Sequence, residues 1–211
     1  MPDSTNEHHR RSIRLPGYDY ASPGAYFVTV CVRGGKCLLG EVVDGAMRLN
    51  EFGQIAHDFW MQVPLHFLGV SIDAFTIMPN HLHAIIVIQV PSVVVGDAGE
   101  GEGTSPLQDR PDGAGVGRGG VAPPTAHSRI AKPTLGQIVA YYKHQTTKRI
   151  NQCRDMPGVA FWQRNYWEHI IRNERSLNRI HEYIENNPAR WAEDQLHPAA
   201  SPNRFNQWPS R

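Results

Sequence analysis

Two histidines separated by a single residue are the first candidates for chemistry in this chain. His81 and His83 follow a Pro79-Asn80 pair and begin an apolar run that continues to Ile88. Because side chains alternate along a strand, both imidazoles project from the same face. Two neutral imidazoles held side by side supply half of the ligands of a divalent-metal site. The turn residues before them predict that both imidazoles lie near solvent.

This spacing is by itself a weak signal. With 11 histidines among 211 residues, chance alone produces about 0.6 His-x-His pairs. The alternative interpretation is that His81 and His83 are two polar residues at the end of a strand. Residues further along the chain therefore decide between the two interpretations.

Tyr183 and Asn187 are the second group of candidates, because residues four apart share one face of a helix. At ~100° per residue, the apolar residues of this helix form a stripe that is expected to pack on the sheet. The stripe consists of Leu177, Ile180, His181 and Ile184. Tyr183 and Asn187 lie on its flank, where a tyrosine is held rigidly and stays reachable. An amide oxygen of Asn187 suits a hard cation.

Each of these two residues also has a common structural interpretation. Tyrosine often lies at the border of a packed helix face, and asparagine often ends a helix, as Asn187 would just before Pro188. Asn186 competes with Asn187 for either role.

Strand and helix signals predict an α+β protein. Strands are predicted at 25–32, 38–43, 46–49, 70–78, 81–88 and 166–172, and helices at 51–63, 135–150 and 176–187. Asp44-Gly45 predicts a hairpin, the phase shift near Ala74-Phe75 predicts a bulge, and Pro64 predicts the end of the first helix. The order favours a ferredoxin-like sandwich, with an antiparallel sheet, 81–88 as a central strand, and helices mainly on one face.

Composition and charge fit a globular domain rather than a polycationic chain. Hydrophobic residues make up 40% and charged residues 19%, and the formal net charge is +1, so any surface for nucleic acid must be local. The sequence predicts a flexible basic arm at 1–20, one catalytic domain at 21–191 and an irregular tail at 192–211. A Gly/Pro-rich insertion at 91–134, with nine of the 19 glycines, interrupts this domain and is predicted to be disordered.

Cysteine use and hydropathy predict a cytoplasmic protein. Cys31, Cys37 and Cys153 form no Cys-x-x-Cys motif, so each is interpreted as a small buried hydrophobic residue. The polar N-terminal residues contain no secretory apolar segment. The longest apolar run, from Ala84 to Ile88, is far too short to span a membrane, so no membrane partner is expected.

Two motifs resemble the HUH single-tyrosine transposases. Met78-Pro79-Asn80-His81-Leu82-His83 resembles their histidine-hydrophobic-histidine motif. The segment from Trp162 to Glu174, followed by Tyr183-Ile184-Glu185-Asn186-Asn187-Pro188, resembles one branch of them. That branch is the REP-associated tyrosine transposases, which act on short palindromic repeats in bacterial DNA. The likeness covers roughly residues 14–90 and 134–191, and the two motifs in this order and separation are highly specific.

The resemblance implies a ferredoxin-like fold and a role for each matching residue. His81 and His83 match the metal-binding pair, Asn187 matches the polar third ligand, and Tyr183 matches the nucleophile. The implied cofactor is Mg²⁺ or Mn²⁺, and the implied partner is single-stranded or hairpin DNA, which is cleaved and rejoined through a 5′-phosphotyrosine intermediate. The insertion at 91–134 is longer than the family usually carries.

Local charge favours a nucleic-acid surface in the second half of the chain. Residues 135–191 contain nine Lys+Arg against five Asp+Glu. Candidate phosphate contacts are Arg14, Lys143, Arg164 and Arg172. Four aromatic residues are candidates for stacking on bases, although aromatic side chains lie more often in the core. They are Tyr142, Trp162, Tyr166 and Trp167.

Other functions remain open on the sequence alone. A domesticated hairpin-binding protein would keep the fold without transposing DNA, and a metal hydrolase would use water in place of Tyr183. A histidine-rich enzyme acting on a small molecule is a more distant alternative. The DNA sequence recognised, the metal, and the choice between monomer and homodimer also stay open.

Overall fold

A four-stranded antiparallel sheet forms the centre of the protein in the computed structural model, which describes residues 14–90 and 132–201. The strands are β1 (Gly24–Cys31), β2 (Gly40–Val43), β3 (Ala46–Leu49), β4 (Val70–Met78), β5 (His81–Ile88) and β6 (Trp167–Ile171), and the helices are α1 (Glu51–His66), α2 (Leu135–Cys153) and α3 (Glu174–Asn186). The main sheet has the order β4-β5-β1-β6, and β2 pairs with β3 in a separate hairpin.

This topology confirms the predicted fold class. Without the β2–β3 hairpin, the chain runs β-α-β-β-α-β and then adds α3, and the sheet order is that of a ferredoxin-like sandwich. β5 is a central strand and β6 an edge strand, as predicted. A register shift between Ile72 and Phe75 in the β4–β5 pairing confirms the predicted bulge.

The two faces of β5 carry different residues. Leu82, Ala84 and Ile86 join the hydrophobic core that α1 and α2 cover, through residues such as Trp60 and Ile138. His81 and His83 alternate with them and therefore face the opposite side of the sheet, where α3 lies. Two of the three helices thus lie on one face, as predicted, and α3 alone covers the face of the histidines.

The helix starts are set by side-chain caps. Asn50 accepts a hydrogen bond from the backbone of Gly53, and Thr134 forms a capping box with Gln137. Asn173 caps α3, which therefore begins two residues before the predicted start.

The prediction that Pro64 ends the first helix is wrong by two residues. α1 continues to His66 with Pro64 inside it, and the backbone N–H of Phe67 still donates to the carbonyl of Val63. A proline removes only its own N–H from the ladder, and near the C-terminus of a helix few further bonds depend on its geometry.

Parts of the predicted arm, insertion and tail lie outside the described residues, namely 1–13, 91–131 and 202–211. Residues 14–20 of the predicted arm are described, and Tyr20 belongs to the core. Cys31 is buried as predicted, whereas Cys37 and Cys153 are exposed, contrary to the prediction. No helix in the described ranges is both long enough and apolar enough to cross a membrane.

The turn before the histidines is held by residues from elsewhere in the chain. The backbone N–H of Leu39 donates to the carbonyl of Pro79, and that of Val32 donates to the carbonyl of Asn80. The start of α1 packs closely against Leu39, as a Cβ added to Gly53 would lie 2.0 Å from the Leu39 carbonyl oxygen. Gly53 is therefore needed for the close approach of α1 to the segment that supports the turn.

We expect Gly53→Ala to lower the free energy of unfolding by about 1–2 kcal/mol, because a backbone clash outweighs the gain of about 0.5–1 kcal/mol in helix propensity. Gly136→Ala, in the first turn of α2, is the matched control, since its added Cβ would meet only the far end of the flexible Arg14 side chain at 3.1 Å. Urea-induced unfolding of both variants measures the difference. Equal stability of the two variants would contradict the role given to Gly53.

Candidate metal centre and nucleophile

His81 and His83 form a cluster with an acidic residue that sequence analysis missed. A ligand atom from each of His81, His83 and Asp194 lies within 4.8 Å of the others. All three residues are buried, with 0%, 3% and 8% of their surface exposed. These side chains bring two imidazole nitrogens and a carboxylate oxygen together at one point above the sheet.

The burial of both histidines contradicts the prediction that they lie near solvent. The segment 191–197 covers them: the ring of Trp191 lies 6.0 Å from that of His81, and the carbonyl of Leu196 accepts a hydrogen bond from Asn80. This cover comes from residues more than 100 positions away in the chain, so the local turn signal did not reveal it.

The protonation of His81 follows from its neighbour Asn80. The Asn80 amide nitrogen donates to the carbonyls of Gly35 and Leu196 at 3.0 and 2.7 Å, so the amide oxygen is the atom 2.7 Å from His81 Nδ1. An amide oxygen only accepts, and Nδ1 therefore carries the proton. The lone pair of His81 is left on Nε2, which is buried without a hydrogen-bond partner among the described residues.

His83 is held between a threonine and the candidate nucleophile. Its Nδ1 lies 2.8 Å from the hydroxyl oxygen of Thr29, the residue directly opposite on β1, and its Nε2 lies 3.0 Å from the hydroxyl oxygen of Tyr183. When Nδ1–H donates to Thr29, the lone pair of Nε2 faces the cluster. A threonine hydroxyl in this position orients a ligand imidazole as outer-shell partners of metal sites do.

Tyr183 reaches the cluster because α3 is fastened to the sheet on both sides. On one flank of the helix, His181 Nε2 donates to Asp73 at 2.7 Å, and Asp73 lies at the β4 bulge. On the other flank, the Tyr183 ring contacts the rings of Phe27 and His83, with Ile184 buried between the two flanks. Rolling the helix would break one contact or the other, so the phenol has a defined position.

Asp194 and Asn187 complete the surroundings of the Tyr183 hydroxyl. Asp194 accepts a hydrogen bond from the amide nitrogen of Asn187 at 2.8 Å, and its Oδ2 lies 3.4 Å from the Tyr183 hydroxyl, whose one proton is shared between Asp194 and His83 as acceptors. The amide oxygen of Asn187, Oδ1, is buried and has no hydrogen-bond partner in the described part of the chain. The predicted ligand Asn187 thus lies beside the cluster, and its spare acceptor is an amide oxygen.

The electrostatics of the site keep the histidines neutral and the tyrosine protonated. Burial lowers the pKa of His81 to about 3, and burial together with the nearby His81 lowers the pKa of His83 well below its usual value. Burial and the Asp194 carboxylate raise the pKa of Tyr183. Neutral imidazoles beside one carboxylate are the protonation states that metal ligands need.

This donor set fits a divalent cation. Buried lone pairs without partners cost free energy unless they are satisfied, and His81 Nε2 and Asn187 Oδ1 are two such atoms within the described ranges. His83 and Asp194 add a nitrogen and a carboxylate oxygen. A set of nitrogen and oxygen ligands that carries one negative charge suits a divalent metal ion such as Mn²⁺. Mg²⁺ prefers sites that have fewer nitrogen ligands.

The predicted DNA contacts fall in different surroundings. Arg14 donates to the Tyr166 hydroxyl at 2.8 Å, while Arg164 and Arg172 are exposed. Lys143 donates to the backbone carbonyls of Gln163, Arg164 and Asn165, which is a structural role. Three of the four aromatic candidates are core residues. They are Tyr142, Trp162 and Tyr166.

Comparison with known proteins found similar solved structures and a relative in sequence. No protein-family model matches it. Similar solved structures include a REP-associated tyrosine transposase bound to a REP hairpin, 16% identical over 88% of this chain and 76% of that chain, with a TM-score of 0.48. Another is a candidate transposase from Deinococcus radiodurans, 14% identical over 82% of this chain and 95% of that chain, with a TM-score of 0.40.

A Haemophilus influenzae protein, described as an uncharacterized protein, is related to this chain in sequence. The two proteins are 41% identical over 190 residues, which span 90% of this chain and 94% of the relative. At this identity over nearly the whole of both proteins, the chain belongs to one family with the Haemophilus influenzae protein.

Proposed function

We propose that the protein is a metal-dependent DNA strand transferase in which Tyr183 is the nucleophile. The observation that carries this proposal is the position of the Tyr183 hydroxyl, 3.0 Å from His83 Nε2 and 3.4 Å from Asp194 in the His-His-Asp cluster. A phenol so close to a set of metal ligands is placed to attack a phosphate held at that cluster.

His81, His83, Asp194 and Asn187 are the residues that would hold the cation. A divalent ion bound there polarises a phosphate oxygen and offsets its charge. Of the two ions that the sequence motifs imply, Mn²⁺ suits two imidazole ligands better, because Mg²⁺ prefers oxygen ligands and gives up water reluctantly.

In the proposed reaction, the oxygen of Tyr183 forms a bond to the scissile phosphorus while the bond from phosphorus to the 3′ oxygen breaks. The phenol proton leaves as the new bond forms, and Asp194 is the carboxylate within reach to accept it. The departing 3′ oxygen takes up a proton. The products are a 5′-phosphotyrosine link and a free 3′-hydroxyl, which can later reverse the step and rejoin DNA without ATP.

Single-stranded or hairpin DNA is the proposed substrate. The sequence resemblance to the REP-associated tyrosine transposases implies it, and the site agrees because a tyrosine on one helix must reach an unpaired backbone. An open cavity of about 380 Å³ lies beside Tyr183 and is lined by residues of α3 and of the segment that follows it. Tyr183, Asn187 and Asp194 are among its lining residues, so a phosphate in this cavity would lie beside the cluster.

We expect wild-type protein incubated with Mn²⁺ and labelled hairpin DNA to retain label on a denaturing gel, and Tyr183→Phe to lose at least about 1,000-fold of this adduct. Phenylalanine keeps the ring and removes only the attacking oxygen. Cleaved DNA without protein attached, in equal amounts from both proteins, would indicate a hydrolase and contradict the proposal. Tight hairpin binding without cleavage would instead support a domesticated DNA-binding protein.

Metal binding is expected to depend on Asp194 as well as on the histidines. His81→Ala should weaken Mn²⁺ binding by more than about 100-fold because it removes a ligand, and Asp194→Asn by about 10–100-fold because it replaces a charged oxygen ligand with a neutral one. Glu185→Gln, an exposed change on α3, is the control and should bind as the wild type does. Calorimetric titration with Mn²⁺ in the absence of DNA gives the affinities. If Asp194→Asn matched Glu185→Gln, Asp194 would not be a ligand.

The Thr29 hydroxyl should matter through the orientation of His83. Thr29→Val keeps the branched shape and removes the hydroxyl that hydrogen-bonds to His83 Nδ1, so we expect Mn²⁺ affinity to fall about tenfold. Thr29→Ser restores the hydroxyl and should recover most of that affinity. The same calorimetric titration compares the two variants, and an equal loss in both would show that packing, not the hydrogen bond, is responsible.

A further inference from the structure

Two cavities on the surface of α3 share a single arginine. The first is the cavity beside Tyr183, and the second, of about 690 Å³, lies between residues 14–20, β6 and the start of α3. Arg179 lines both of them. The two cavities therefore adjoin at Arg179, and Tyr183 lines the first of them.

Charge is divided unequally between the two cavities. Two arginines and three carboxylates line the first cavity, where a cation is needed. Three arginines and one carboxylate line the second. The arginines of the second cavity are Arg14, Arg172 and Arg179.

The single carboxylate of the second cavity does not cancel its positive character. Glu168 has only 3% of its side chain exposed, and its Oε2 lies 3.9 Å from Nε of Arg14. It therefore faces Arg14 from within the protein. Arg172 and Arg179 are both exposed, which leaves their guanidinium groups accessible to an anion.

The start of α3 adds to the same potential. Asn173 and Ser176, in the cap and first turn of this 13-residue helix, line the second cavity together with Arg179. The N-terminal end of a helix carries a partial positive charge and favours phosphate groups. The helix thus points its positive end at the second cavity, while Tyr183 lies near its other end.

We propose that the second cavity binds the unpaired strand next to the scissile phosphate, with Arg179 and Arg172 contacting successive phosphates; this proposal rests on the proposed function. Arg179 precedes Tyr183 by four residues, a rise of about 6 Å along the helix, which suits the phosphate adjacent to the one that Tyr183 attacks. Arg172 precedes the start of α3 and lines the second cavity but not the first, so it would contact a phosphate more distant from the cut. Arginines suit this role because their planar donors match phosphate oxygens.

The test measures equilibrium binding of hairpin DNA that carries an unpaired extension. Tyr183→Phe protein prevents cleavage during the titration, and the dissociation constant is measured by fluorescence anisotropy at several salt concentrations. Removing one arginine that binds a phosphate should reduce the slope of log affinity against log salt by about 0.7. Arg179→Gln and Arg172→Gln are therefore each expected to reduce this slope, and to weaken binding several-fold at moderate salt.

The control is Arg175→Gln on the same helix. Arg175 is exposed and lines neither cavity, so it should keep the parent slope and affinity. With a blunt hairpin that has no extension, all three variants should match the parent protein. Equal thermal unfolding midpoints verify that the three substitutions leave the fold intact.

The proposal is overturned if Arg179→Gln and Arg172→Gln match Arg175→Gln on the extended hairpin, or if the extension does not bind. The adduct assay with Tyr183 present separates this failure from failure of the proposed function. If adducts form but the arginine variants leave the slope of log affinity against log salt unchanged, the tyrosine mechanism is retained and the second cavity is rejected as the strand site. Reduced slopes without any adduct would retain the strand site and reject the transferase.

Discussion

A single buried amide, that of Asn80, holds three separate parts of the chain together around the candidate metal ligands. Its nitrogen donates to Gly35, after β1, and to Leu196, after α3, while its oxygen accepts a hydrogen bond from His81 Nδ1. Because the amide nitrogen of Asn80 already donates to two carbonyls, the amide oxygen is the atom that faces His81, and it can only accept a hydrogen bond. The same residue therefore positions the covering segment and determines which nitrogen of His81 is available to a metal.

Burial determines the chemistry of this site, and it also costs free energy of folding. Removing two imidazoles, a carboxylate and an amide from water leaves acceptors that water would otherwise satisfy. The hydrophobic core on the other face of the sheet, around Trp60 and Tyr142, supplies stability that the site itself does not. The ferredoxin-like arrangement thus divides the sheet into an apolar face that supports the fold and a polar face that α3 and residues 191–197 enclose.

Local signals in the sequence predicted the strands and helices well, but they did not predict contacts between residues that are far apart in the chain. Strand alternation placed His81 and His83 on one face, helical periodicity located the three helices, and the family resemblance selected Tyr183. The burial of the histidines and the contribution of Asp194 both depend on the segment after α3. The sequence of that segment has no apolar periodicity, and the segment forms a short 3₁₀ helix at Trp191–Glu193. No sequence pattern therefore indicated that it packs on the sheet. Arg179 was missed for the same reason, because a cavity formed by three elements has no local signature.

The state of Tyr183 links the metal cluster to its reactivity. Its phenol has a raised pKa because of burial and of the Asp194 carboxylate, so the free protein holds a protonated, weakly nucleophilic tyrosine. The same carboxylate belongs to the cluster that would bind the cation. A cation held there would offset the charge of Asp194, which is one cause of the raised pKa, and it would also favour the phenolate by direct attraction. In the proposed reaction Tyr183 would therefore become a better nucleophile only where metal and phosphate are both bound.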